Sequence, residues 1–94
     1  MHGKRAPEQL GRLTVFGECE VAETLARQSV ELARRTDYLN ELGQAYESLG
    51  IVLARAGRRD EAREAFRESL AAFDRKGNLT YGDRVREQME GLPA

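Results

Sequence analysis

The residues that could do chemistry are few, and their spacing argues against catalysis. His2 is the lone histidine, and no His, Cys or carboxylate group stands at the spacing a metal site requires. Cys19 lies between Glu18 and Glu20, whose negative charges disfavour the thiolate. It reads as a structural or surface thiol rather than a nucleophile. Gly43, Gly50 and Gly57 are spaced by seven. A phosphate-cradling loop needs clustered glycines behind a strand, so these three read as helix-packing and capping residues. The arginine runs "ARRTD" and "AGRRDEAR" have acids beside them and read as solvated faces with pairing three or four residues apart. Tyr38, Tyr46 and Tyr81 read as packing residues, since a base-stacking platform also needs a basic groove. No general acid and base face one another in any recognisable pattern. Neither an enzyme nor a bound cofactor or metal is expected.

The totals narrow the class further. The 94 residues carry 15 basic and 16 acidic side chains, a net charge of −1. A nucleic-acid binder normally shows a basic excess or stripe, so nucleic acid is not an expected partner. No apolar run reaches membrane-span length, and the basic "MHGKR" start is not followed by the apolar core of a signal peptide. A single cysteine cannot close an internal disulfide, which fits a reducing compartment. The expected location is the cytoplasm. Residues 1–6 are expected to be a flexible tail, and residues 7–94 one small helical domain.

The elements that would position any site are helices throughout. Pro7 and Pro93 are the only prolines, so the stretch between them lacks the strongest helix breaker. From Glu20 to Arg35 the apolar set Val21, Ala22, Leu25, Ala26, Val30, Leu32 and Ala33 follows helical spacing. "RRTD" interrupts it, and Asp37 is a good residue type to cap the next helix. From Tyr38 to Ala56 a wide stripe of Leu39, Leu42, Ala45, Tyr46, Leu49, Ile51, Val52, Leu53 and Ala56 predicts neighbours on more than one side. Gly57 predicts a left-handed stop, and Asp60 and Glu61 suit the start of a third helix carrying Ala62, Ala65, Phe66, Leu70 and Phe73. "KGN" at 76–78 ends it. Asn78 or Thr80 can cap a last helix holding Leu79, Val85, Met89 and Leu92, with Gly91 and Pro93 beyond. Pro7 opens a shorter first helix through about Phe16. Four to five helices with short connections are expected, and no strand pattern competes.

The chain also repeats itself at an interval of 40. Leu13/Leu53, Gly17/Gly57, Ala22/Ala62, Arg27/Arg67, Ser29/Ser69, Arg35/Arg75, Leu39/Leu79 and Glu47/Glu87 are identical pairs, and Glu20/Asp60, Val30/Leu70 and Leu49/Met89 are conservative ones. Several of these fall on small and apolar positions at helical spacing, where a structural repeat keeps its residues. Within that frame Tyr46, Leu49-Gly50, Leu53, Ala62 and Phe66 stand at the offsets of the tetratricopeptide repeat, which this chain resembles. The closest match runs from about Asp37 to Lys76, preceded by a half-repeat with Gly17, Ala22 and Ser29 and with Ala26 where Phe would stand.

The resemblance implies an all-α short solenoid of antiparallel helical hairpins, about two and a half repeats, with Gly50 and Ala62 at a close helix–helix approach. The long period is similar to repeats in the C-terminal regions of large bacterial regulators linked to ATPase or adenylate-cyclase domains. It implies a protein-binding scaffold or regulatory segment. The alternatives are a stand-alone homo-oligomer and a domain that senses a peptide or small ligand. The first helix of each hairpin lines the concave side, so Gln44, Glu47, Ile51, Ala54, Arg55, Arg84 and Glu87 are the candidate partner-binding residues, with Gly11, Thr14 and Val15 in the repeat before. Many relatives grip a C-terminal carboxylate with Lys and Asn there; Glu47 and Ile51 do not support that chemistry. Leu13, Val15 and Phe16 have nothing upstream to cover them and are the candidate contact of a homodimer.

Overall fold

Glycine ends two of the helices, and the turns it makes set the architecture. The computed structural model describes residues 20–93. These form four helices: α1 over residues 20–36, α2 Leu39–Arg55, α3 Arg59–Lys76 and α4 Leu79–Glu90. At the end of α2, Gly57 takes φ +80, the Gly57 N–H donates to Ala54 O at 3.1 Å, and Arg58 N–H donates to Leu53 O at 2.9 Å. Gly77 repeats this pattern after α3, with φ +80 and bonds to Asp74 O and from Asn78 N–H to Phe73 O. Both are left-handed caps that satisfy the last carbonyls and reverse the chain within two or three residues.

Asp37 corrects one expectation. It does not cap α2: Tyr38 occupies that position and makes no side-chain cap bond. Asp37 instead has φ 60 and closes α1, standing 40 residues before Gly77 and doing by local side-chain tolerance what glycine does there. Asn78 does cap α4 as its residue type predicts, its side-chain oxygen accepting from the Tyr81 N–H at 3.2 Å.

The helices α2 and α3 run antiparallel, and their contact is built from glycine against phenylalanine. A Cβ placed on Gly43 would lie 2.6 Å from the Phe73 ring, and one on Gly50 would lie 2.6 Å from the Phe66 ring. Two glycines seven apart on α2 thus receive two rings seven apart on α3, in opposite order. The atoms nearest a Cβ on Gly50 are those of the Phe66 ring, and Ala62 is fully buried one turn earlier. Between the rings, the buried Ser69 Oγ donates to the Gly43 carbonyl oxygen at 2.7 Å. Leu53, Phe66, Phe73 and Val85 form the centre of the core. The helix α4 packs on α3, with Tyr81 edge-on to Phe73 at 5.4 Å between centroids.

The apolar sets are not all inside. On α1, Ala26, Val30 and Ala33 are buried, whereas Val21, Leu25 and Leu32 are exposed. Leu79, expected among the core residues of the last helix, is 70% exposed at the first turn of α4. The tail of residues 1–6, the short helix from Pro7 to Phe16, and His2, Cys19, Gly11, Leu13, Thr14, Val15 and Phe16 lie outside the described residues.

Candidate functional site

Polar groups tie successive hairpins together, like helix to like helix. Between α2 and α4, Arg84 clamps Glu47 with two parallel bonds, Nε to Oε2 at 2.8 Å and Nη2 to Oε1 at 2.5 Å. A planar guanidinium suits that fork. Asn78 Nδ2 adds a bond to Asn40 Oδ1 at 3.2 Å. The Glu47 side chain is buried while Arg84 is half exposed, and the guanidinium lies over the Tyr81 ring at 4.3 Å from its centroid. The Glu47 carboxylate holds the Arg84 pKa above its ordinary value.

Between α1 and α3, Glu23 accepts from Arg27 at 2.9 Å and from Arg58 at 2.5 Å. Arg58 also bonds Glu61, and Arg27 reaches Glu61 at 3.5 Å. The Glu23 pKa is lowered by bonding to Arg27 and then Arg58, that of Glu61 by Arg58, and that of Arg58 is raised by Glu61 and then Glu23.

Of the candidate concave-face residues, the structure brings Glu47 and Arg84 into direct contact. Ile51 is half-buried and packs against the core. Arg55 and Glu87 are exposed. Gln44 is also exposed, but it lines a groove toward α1 with Ala45 and Ser48. Ala54 lines a cleft near the α2–α3 turn with Arg58, Leu92 and Pro93. Gln44 and Ala54 thus line separate clefts, and the contact shown within the set is the Glu47–Arg84 ion pair.

Two features escaped the sequence reading. Tyr81, taken as a packing residue, also supplies the platform for Arg84. The groove between α1 and α2, walled by Ser29, Leu32 and Ala33 on one side, was signalled only by the Ser29/Ser69 pair. Among the described residues no group of His, Cys, Asp and Glu could hold a metal ion, and no helix is long and apolar enough to cross a membrane.

The hairpin α2–α3, with α4 laid beside it, has the form of a stacked helical repeat, and the family model described as tetratricopeptide repeat matches residues 13–75, about two thirds of the chain. The chain belongs to the tetratricopeptide repeat family. Comparison with curated proteins and with solved structures gave no match. In tetratricopeptide-repeat terms α2 and α4 are the first helices of successive repeats, α1 and α3 the second ones. Gly50, Leu53, Ala62 and Phe66 are the residues that let the helices of one repeat close on each other.

Proposed function

We propose that this tetratricopeptide-repeat chain is a non-catalytic module that binds a protein or peptide on the face formed by α2 and α4. The observation that carries the reading is the fixed Arg84. Its Nε and Nη2 are committed to Glu47, its plane is held over Tyr81, and it remains half exposed beside the exposed Glu87. A cation already ordered in this way loses little side-chain freedom when it meets a partner's carbonyl or carboxylate. Arg55 and Gln44 extend the face along α2. The role as a regulatory segment rests on the similarity of residues 35–78 to repeats of large bacterial regulators, and a cytoplasmic location on the lone cysteine. The net charge of −1 speaks against nucleic acid, and the helical faces against membrane insertion.

The test is affinity capture with the whole chain as bait, run beside Arg55→Glu and Glu87→Arg, which change exposed residues. A protein captured by the unaltered chain and lost with both variants is the expected result. Capture that ignores both variants overturns the assignment of this face.

A second reading, self-association, is favoured by the 58% exposure of Val21 at the start of the described α1, close in sequence to Leu13, Val15 and Phe16. A two-fold homodimer through those residues is expected to dissociate with Phe16→Glu. Light scattering that finds only monomer for the unaltered chain at tens of micromolar refutes it.

A further inference from the structure

A stripe that the fold leaves open on α1 has a covered counterpart on α3. Val21, Leu25, Gln28, Leu32 and Arg35 follow one another at intervals of four and three, the spacing of a seam that packs against another helix. Val21, Leu25 and Leu32 are 58%, 57% and 64% exposed, and a groove lined by Thr24, Gln28, Glu31, Leu32 and Arg35 runs beside them. Forty positions on, α3 carries Glu61, Ala65, Glu68, Ala72 and Arg75. There Ala65 and Ala72 are buried, and Glu61, on the same stripe, pairs with Arg27 of α1. That side of α3 faces α1 and carries alanines, whereas α1 turns a valine and two leucines outward at the same positions.

We propose that the open stripe is covered by the same stripe of a second copy, the two α1 helices lying antiparallel across a two-fold axis. The inference rests on the self-association reading and extends its surface along α1. Three observations select this occupant. The first is that the opposite side of α1 is taken: Glu23 and Arg27 are held by Arg58 and Glu61 of their own molecule. A second α1 can offer only its own open stripe, and a surface that pairs with itself closes with two-fold symmetry.

The second is charge. Arg27 and Arg34 have partners in Glu23 and Glu31, but Glu20 and Arg35 are exposed and make no ion pair among the described residues. They lie on one flank of the stripe, 15 residues apart, which is about 22 Å along a helix. Antiparallel helices bring like flanks together, so Arg35 of each copy reaches Glu20 of the other. The midpoint falls between Arg27 and Gln28, which sets Gln28 beside its counterpart, where each carboxamide can donate to the other's oxygen. The third is the far end of the stack, which does not fit. The α3 positions equivalent to Glu23 and Arg27 are Arg63 and Arg67, and laying valine and leucine over them would strip water from both charges. A closed pair is favoured over a head-to-tail filament.

Sedimentation equilibrium on the full-length chain tests the pair. Leu25→Asp alters an exposed side chain, so it is expected to leave the helical signal intact and to convert dimer to monomer. Glu20→Arg and Arg35→Glu each act twice by symmetry and are expected to weaken the dimer about three- to tenfold, and the two reversals in one chain to restore it. In a Cys19→Ser background, Gln28→Cys is expected to link two copies on mild oxidation, whereas Glu68→Cys on α3 is not. A dimer lost with Phe16→Glu but indifferent to Leu25→Asp overturns the α1 pair and leaves self-association standing. A double reversal that recovers nothing also overturns the pair. Monomer alone for the unaltered chain overturns both.

Discussion

Adding one methyl group to Gly50 should be among the most damaging small changes this protein can suffer. The new carbon of Gly50→Ala would lie 2.6 Å from Cδ1 and Cε1 of Phe66 and 2.9 Å from Cζ. Carbon atoms rest at about 3.5–4.0 Å, so the ring must retreat by about 1 Å. Phe66 is 1% exposed, so its ring moves by displacing packed neighbours rather than solvent. Overpacking of this kind costs about 1–3 kcal/mol, and with three ring atoms in collision the upper part of that range, roughly 2–3 kcal/mol, applies. Alanine returns about 1 kcal/mol through its better helix propensity. The net loss is about 1–2 kcal/mol, a fall in Tm of about 4–16 °C for a domain of this size.

Thermal unfolding followed by circular dichroism reads this directly. Gly82→Ala is the control: its added carbon would lie 3.6 Å from Arg86 Nη1, 3.8 Å from Asp74 Oδ1 and 4.0 Å from Leu70 Cδ2, ordinary contacts, so the propensity gain of about 1 kcal/mol should survive and Tm should rise. In the Gly50→Ala background, Phe66→Leu should recover part of the loss, a coupling that independent sites would not show. A Gly50→Ala protein as stable as the parent, beside a Gly82→Ala protein that is no more stable, would refute the glycine-against-ring account of the α2–α3 contact.

Other expectations follow from the turns and the ion pairs. Asp37 sits at φ 60, where a side chain is strained, so Asp37→Gly should raise stability by about 0.5–1 kcal/mol; an unchanged or lower Tm would count against strain at that turn. Arg84→Ala leaves the buried Glu47 carboxylate without its partner and should cost about 1–2 kcal/mol, below the range for fully buried pairs because Arg84 is half exposed. The paired change Glu47→Gln with Arg84→Met should restore most of this in denaturant titrations, and a loss that persists would show that the ion pair is not its cause. The folded-state pKa of Glu23 lies below its ordinary value, so its contribution is complete above about pH 4.3 and drains away as pH falls through the lower folded value. Glu23→Gln should therefore flatten the acid side of the Tm–pH curve, and an unchanged slope would argue against the pairing of Glu23 with Arg27 and Arg58.

The helices were legible in the sequence because their signals are local. Gly57, "KGN" and the apolar spacing mark α2, α3 and α4 by backbone conformation and burial alone. Asp37 was misread because an Asp before a helix suggests a cap; its alignment with Gly77, 40 residues on, was the better guide. The seven-residue spacing of Gly43 and Gly50 was visible, but their partners Phe66 and Phe73 depend on the register of two antiparallel helices, which no single-helix pattern contains. The same holds for the candidate face. Glu47 and Arg84 were each placed on it, yet their direct contact depends on how closely α2 and α4 approach, a distance set by Phe73, Tyr81 and Val85 between them.

The two- and three-residue turns have a kinetic consequence. Bonds between helices join residues such as Ser69 and Gly43 or Asn78 and Asn40, 26 and 38 positions apart, so little chain entropy is spent in bringing them together. A topology of this kind lies at the fast end of folding, microseconds to milliseconds, and it can be assembled in the order in which it is synthesised. The glycine–phenylalanine contact that joins α2 to α3 can form once residue 76 has emerged from the ribosome, before α4 has emerged to stabilise it.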